Sequence, residues 1–135
     1  MNRVTLLVAG TTIGGLVSAD SVVGVDEIIC AAGQVQICIE QDTCYATSAT
    51  DLDVPEFVLI DTKKGTISTT KASGLNRSTG FTKSERKDGL IHLQGVEGGR
   101  AFSFVIHEET GRMTAAIARN GLSVTVFGAC TVADL

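Results

Sequence analysis

Residues 101–130, AFSFVIHEETGRMTAAIARNGLSVTVFGAC, decide the predicted fold. Apolar residues alternate with polar or small residues along three stretches of this run, and polar turns containing glycine separate the stretches. Alternation with a period of two is typical of β-strands, because successive side chains of a strand point to opposite faces. Asn120-Gly121 is a strong hairpin signal, because a type I′ turn needs a positive φ at both central residues. The run therefore predicts three antiparallel strands joined by short turns.

The same pattern continues upstream as far as Pro55. It adds four runs of alternating or β-branched residues, and a charged stretch at residues 85–89 is predicted to be a turn. Two segments before Pro55, residues 27–30 and 35–40, offer one or two further strands. Short connections force neighbouring strands to be antiparallel, because a parallel crossover needs about a dozen residues. The strands predicted after Pro55 are residues 57–61, 66–70, 78–84, 90–95, 101–107, 112–119 and 122–130.

These strands predict one all-β domain, an antiparallel up-and-down meander of about seven to nine strands that closes into a small barrel or clam. An open sheet of this size would leave two edges exposed to pairing with other chains. At about eight strands, the interior of a barrel is either filled by side chains or holds one small ligand. One hypothesis for function is therefore a carrier with an apolar interior, which is lined by Phe102, Phe104, Ile106 and Val124.

The N-terminus has the three-part layout of a secretory signal peptide. A basic start at residues 1–3 precedes an uncharged run at residues 4–19, which ends in Val-Ser-Ala. A buried first strand or a short membrane anchor is the alternative, but a membrane-spanning helix needs about twenty apolar residues. We therefore expect a signal peptide at residues 1–19 and a single β-barrel-like domain at residues 20–135 with no transmembrane segment. The protein is expected to be periplasmic or secreted, and bacterial.

All four cysteines remain after that cleavage, and an even number in an exported chain suggests two disulfides. Four cysteines allow three connectivities. We favour Cys38–Cys44, which closes a local loop, together with Cys30–Cys130, which ties the first segment of the sheet to the last. The spacing lacks the CxxC pairs that are typical of structural zinc sites and of redox-active cysteines. Neither a metal nor a cofactor is therefore predicted.

Charge is divided into blocks along the chain. The net charge of −4 argues against nucleic-acid binding, since phosphates require a concentrated basic surface. Residues 20–61 contain nine acidic side chains and no basic one, whereas residues 62–87 contain seven basic side chains and one acidic one. The two blocks can pack side by side so that their charges partly cancel, or they can form surfaces of opposite potential that attract a charged partner. The second interpretation predicts a basic patch that docks an anionic envelope component or an acidic protein. The patch consists of Lys71, Arg77, Lys83 and Arg86.

Groups suited to catalysis are scarce. The two histidines, His92 and His107, both fall in predicted strands, and His107-Glu108-Glu109 lacks the second histidine of an HExxH zinc motif. The chain has no Gly-x-Ser-x-Gly nucleophile elbow. We therefore predict a binding protein that is not an enzyme.

Residues 93–131, LQGVEGGRAFSFVIHEETGRMTAAIARNGLSVTVFGACT, resemble the C-terminal half of a family of small exported proteobacterial proteins. That family shares the glycine turn followed by arginine, the Thr-Gly-Arg/Lys-Met-Thr turn and the final Phe-Gly-Ala-Cys strand. It has no assigned activity, so the resemblance implies export and β architecture alone. The predicted architecture is also similar to that of periplasmic lysozyme inhibitors. The membrane-associated ones insert a loop that carries Ser-Gly and a nearby tyrosine into the cleft of the enzyme. Ser73-Gly74 matches the dipeptide, but Leu75-Asn76-Arg77 follows it and the single tyrosine is Tyr45.

Overall fold

A computed structural model describes residues 20–52 and 54–134, so the predicted signal peptide lies outside the described residues. Apart from two short 3-10 helices, the regular structure of the described part is all β-strand, which confirms the predicted all-β class. Its strands are β1 Glu27–Ile39, β2 Cys44–Thr47, β3 Phe57–Asp61, β4 Thr66–Thr69, β5 Ser78–Gly80, β6 Lys83–Lys87, β7 Leu90–Glu97, β8 Arg100–His107, β9 Arg112–Arg119 and β10 Leu122–Val132. Two short 3-10 helices, Thr50–Leu52 and Lys71–Ser73, interrupt the loops between them.

All of these strands belong to one antiparallel sheet. The strand order is β5-β4-β3-β1-β10-β9-β8-β7-β6, and β2 pairs with the second half of β1 beside β3. The first long strand therefore pairs with the last one, over eleven register positions. From β6 to β10 each strand pairs with the next, as short connections require. The predicted meeting of the first and last segments is confirmed.

The sheet curls into a half-barrel with β5 and β6 at its two edges. Only Phe81 and Thr82 lie between these two strands in the chain. The Phe81 amide donates to the carbonyl of Gly65 beside β4, and the Thr82 amide donates to the carbonyl of Gln94 in β7. The connection thus carries the chain across the break between the two edges. Both edge strands are short, which limits the backbone they offer for pairing with other chains.

Both predicted disulfides are present. Cys30 is bonded to Cys130, which is its register partner across the β1–β10 ladder. Cys38 is bonded to Cys44, which is its register partner across the β1–β2 hairpin. The described residues contain no free cysteine. Two disulfides fit an oxidising extracytoplasmic compartment, and none of the described helices is long and apolar enough to cross a membrane.

The concave face of the half-barrel holds the hydrophobic core. Alternate residues of each strand point inward, so that the inward residues of β8 are Arg100, Phe102, Phe104 and Ile106. Most of the interior is filled by packed aliphatic side chains and by the Cys30–Cys130 disulfide. The side chains with no more than 1% exposure are Val22, Ile28, Cys30, Ile60, Ile91, Leu93, Ile106, Ala115 and Cys130.

One end of the half-barrel is closed by residues 20–26. Val22 is fully buried there, and its amide donates to the carbonyl of Glu108 in the β8–β9 turn. Arg86 donates to the carbonyl of Val25 and forms an ion pair with Glu108 at 3.6 Å. The other end, where Gly98 and Gly99 form the β7–β8 turn, is called the mouth below.

Several local predictions differ from the structure. The predicted strand at residues 78–84 is divided between β5 and the start of β6. The segments 27–30 and 35–40 are one strand, because a bulge between Ala32 and Gln34 lets β1 continue. The four residues of β2 were not predicted, since three of them are exposed and show no alternation. The predicted turn at residues 85–89 is too long, because β6 runs to Lys87 and only Asp88 and Gly89 form the turn. An edge strand tolerates such charged side chains, because one of its edges is open to water and charges there discourage pairing.

Candidate functional site

The mouth opens onto a small apolar cleft in the concave face. This mouth cleft has a volume of about 110 Å³ and lies between β3–β5 on one side and β7–β9 on the other. Its apolar walls come from five different parts of the chain, and their side chains are half-buried or buried. They are Val54, Val58, Ile67, Phe102, Phe104 and Ile117.

Two aromatic rings on β8 form one wall of the mouth cleft. Phe102 and Phe104 point to the same face because they are two residues apart on a strand, and their ring centroids are 5.7 Å apart. Phe102 lies opposite Gly95 on β7, and a Cβ at Gly95 would sit 2.4 Å from the Phe102 Cζ atom. The ring therefore packs directly over the glycine backbone, which fixes its position at the mouth.

Three charged residues surround this apolar surface at the mouth. Arg100 and Glu97 are register partners at the ends of β8 and β7, and both are half-buried. Arg77 approaches from the opposite wall, just before β5. Its backbone is held by Thr69 of β4, whose amide donates to the Arg77 carbonyl and whose Oγ1 accepts from the Arg77 amide at 2.9 Å. The cleft thus joins apolar walls to charged groups that come from two separate sheet segments.

The sequence-predicted carrier residues divide into two groups. Phe102 and Phe104 line the mouth cleft. Ile106 and Val124 are buried at 0% and 5% exposure in the packed core and do not line it. Inside the half-barrel, the space for a ligand therefore lies at the mouth rather than along the whole interior.

The four residues of the predicted basic patch do not form one surface. Lys71 begins the second 3-10 helix, and Arg77 lines the mouth cleft. Lys83 lies opposite the exposed Gln94, whereas Arg86 lies opposite Ile91, which is fully buried. Directly opposed residues share a face of the sheet, so Lys83 and Arg86 point to opposite faces. Docking through this patch stays a prediction.

Arg86 has a structural role in the fold. Its guanidinium holds both Glu108 and the Val25 carbonyl, and its side chain is only 28% exposed. These contacts join the edge strand β6 to residues 20–26 and to the β8–β9 turn.

The remaining predicted candidates lie outside the mouth cleft. His92 lies opposite Val105, which is exposed on the convex face, and the His107 Nδ1 atom is 3.0 Å from Thr110 Oγ1 in a turn. Within residues 20–52 and 54–134 no group of three potential metal ligands is found. Ser73 ends the second 3-10 helix, and Tyr45 is 47% exposed on β2. The inhibitor-like function stays a prediction.

Sequence reasoning missed several residues of the cleft. Arg100 carried a usable signal, because it shares the alternation of Phe102 and Phe104 and therefore faces inward. Glu97 could then have been placed beside it across the two-residue glycine turn. Val54 carried no such signal, because it lies in an irregular connection.

Comparisons with known protein families, with curated proteins and with solved structures found no significant match. The resemblance to the exported proteobacterial family therefore stays a prediction.

Proposed function

We propose that this is an extracytoplasmic binding protein that holds a compact apolar group of a small ligand in the mouth cleft, without catalysing a reaction. The observation that carries the proposal is an apolar cleft at the open end of a half-barrel whose interior is otherwise packed. Pockets lined by apolar and aromatic side chains with a few polar groups are typical small-molecule sites, and the mouths of β-barrels are a usual place for them.

The size of the cleft supports a small apolar group. Its volume of about 110 Å³ is less than that of a protein cavity that holds benzene, about 150 Å³. A branched chain of about four or five carbon atoms fits such a space, and the rest of the ligand extends into solvent at the mouth. Val54, Phe102 and Ile117 would contact the apolar group.

The location of the protein is part of the proposal. The Cys30–Cys130 and Cys38–Cys44 disulfides persist in an oxidising compartment such as the periplasm or the exterior. We infer a bacterial periplasmic or secreted protein, with residues 1–19 as the signal peptide.

A titration with a neutral branched alcohol tests the proposed function. 3-Methylbutan-1-ol is added to ¹⁵N-labelled residues 20–135, and backbone amide shifts are followed by NMR. We expect saturable shifts, with a Kd of about millimolar for so small a probe. The shifts should be largest at Ile67, Phe102 and Ile117, whereas Ile28 in the packed core should not move.

A variant that fills the cleft makes this test specific. Ile117→Trp should abolish the saturable shifts, because Ile117 is a half-buried wall residue and the indole would occupy the space. Val105→Trp is the matched control, since Val105 is 37% exposed on the opposite face of the neighbouring strand. Binding that survives in the Ile117→Trp variant, or shifts that never saturate, would contradict the proposal.

A further inference from the structure

We infer that the ligand of the mouth cleft is a short monocarboxylate whose carboxylate group is bound by Arg100. The inference rests on the proposed function, because it assigns the polar end of the ligand whose apolar end lies in the cleft. Its basis is the place of Arg100, a half-buried lining residue of the cleft at the end of the apolar wall.

The register of the sheet places Arg100 on the inside of the mouth. Arg100, Phe102 and Phe104 alternate along β8 and share its concave face. Arg100 is the first residue of the strand, so it stands at the end of the apolar wall that the two rings form. An apolar group packed against Phe102 therefore leaves its polar end beside the Arg100 side chain.

Arginine suits a carboxylate at such a boundary. The guanidinium is planar and offers five N–H donors, which pair with the two carboxylate oxygens in a parallel fork. The adjoining apolar walls strengthen this attraction, because they keep part of the solvent away from the charges. Arg77 also lines the cleft, on the opposite wall.

Glu97 places a negative charge on the strand that neighbours Arg100. It is the register partner of Arg100, and opposite charges on directly opposed residues attract each other. No ion pair between these two side chains is found among the described residues, and the five N–H donors of the guanidinium suffice to bind a ligand carboxylate. Glu97 also disfavours an anion by repulsion, so it limits the affinity for the carboxylate.

Three probes that share one branched chain test the inference. They are 3-methylbutanoate, 3-methylbutan-1-ol and 3-methylbutan-1-amine, each titrated by NMR near neutral pH and at low salt. We expect the carboxylate to bind about tenfold more tightly than the alcohol, and the amine to bind more weakly than the alcohol. The preference for the carboxylate should fall as salt is added, because salt screens charges at an open site.

Variants assign the preference to Arg100. Arg100→Gln should lower the affinity for 3-methylbutanoate about tenfold and leave that for the alcohol within about twofold. Arg112→Gln is the matched control, since Arg112 is exposed at the far end of the neighbouring strand. Glu97→Gln should raise the affinity for the carboxylate, and this gain would be visible even if the Arg100 variant folded poorly.

The outcomes separate the inference from the proposed function. If none of the three probes binds in the cleft, the proposed function itself fails. If the alcohol binds and the carboxylate binds no more tightly, the cleft is an apolar site and the inference alone is overturned. The same holds if the carboxylate preference persists in the Arg100→Gln variant. Tighter binding of the amine would overturn the inference in favour of a cationic ligand held by Glu97.

Discussion

Cys30 and Cys130 lie directly opposite each other in the β1–β10 ladder and are joined by a disulfide, although 100 residues separate them in sequence. Each is 1% exposed, so the bond lies inside the core rather than on the surface. The disulfide therefore joins the two longest strands of the sheet at a point where packing already holds them together.

Removing this disulfide is expected to be the costliest of the changes discussed here. Cys30→Ala with Cys130→Ala should lower the free energy of unfolding by about 4 to 5 kcal/mol, because the bond closes a loop of about 100 residues in the unfolded chain. Urea denaturation of the variant and of the unmodified protein measures the difference.

The second disulfide is the matched control. Cys38→Ala with Cys44→Ala opens a loop with a sequence separation of 6, for which the same relation gives about 2 kcal/mol. Equal losses in the two variants would contradict a loop-entropy origin of the stabilisation.

The contact between Phe102 and Gly95 predicts an unusual effect of adding one methyl group. Gly95→Ala should destabilise the protein by about 1 to 3 kcal/mol, because the new Cβ would overlap the Phe102 ring, with its Cζ 2.4 Å away. Combining Gly95→Ala with Phe102→Leu should cost less than the sum of the two single changes. Additive losses in chemical denaturation would show that the ring moves away freely.

The contacts of Arg86 on the edge strand β6 are expected to stabilise the closed end of the half-barrel. Arg86→Met should lower the free energy of unfolding by about 1 to 2 kcal/mol, because it removes the ion pair with Glu108 and the bond to the Val25 carbonyl. Hydrogen exchange at the Val22 amide should also accelerate, since that amide donates to Glu108. Lys87→Met, a neighbouring exposed change, should stay within about 0.5 kcal/mol of the unmodified protein.

The contacts of Asp26 with Thr62 and Lys63 join the segment before β1 to the turn after β3, and we expect their contribution to stability to depend on pH. The Thr62 hydroxyl donates to its carboxylate at 2.8 Å and, with Lys63 at 3.5 Å, lowers the pKa of Asp26 below its ordinary value. A lowered pKa in the folded state means that the contribution to stability is present above about pH 4 and is lost as the pH falls through that lowered pKa.

Thermal unfolding of the Asp26→Asn variant at several pH values tests this direction of the pH dependence. The variant should be less stable than the unmodified protein at neutral pH and low salt, and the difference should shrink in strong acid. Asp134→Asn, an exposed change near the end of the described chain, should show no such convergence. A difference that grows as the pH falls would contradict the role of the Asp26 carboxylate.

Much of the fold follows from local pattern, as two strands show. β3 and β9 have the predicted bounds. β9 has clear alternation and a turn at both ends, and β3 is an apolar run that follows Pro55 and ends at a turn. Most of β6 was predicted as a turn, because its residues are charged and lack an apolar alternation. An edge strand needs no apolar face, so this composition is compatible with a strand. The bulge in β1 was also hidden, because it shifts the alternation in the middle of one strand.

The site was harder to predict than the fold. Phe102 and Phe104 were placed on the concave face correctly, because their alternation is local. The cleft itself depends on Arg77 and Val54, which reach the mouth from loops. Loops lack the periodic residue pattern of strands, so the sequence alone does not indicate which loop residues line the cleft.

The β1–β10 ladder has a consequence for the order of folding. A ribosome makes the N-terminal strand early and the C-terminal strand last, yet the two are neighbours at the centre of the sheet. Contacts so distant in sequence raise the contact order, which slows folding. Until residues 122–132 have been synthesised, the backbone groups on one edge of β1 have no pairing partner, and a strand of another chain could pair with them. The nascent chain would therefore benefit from a holding chaperone that covers its first strand.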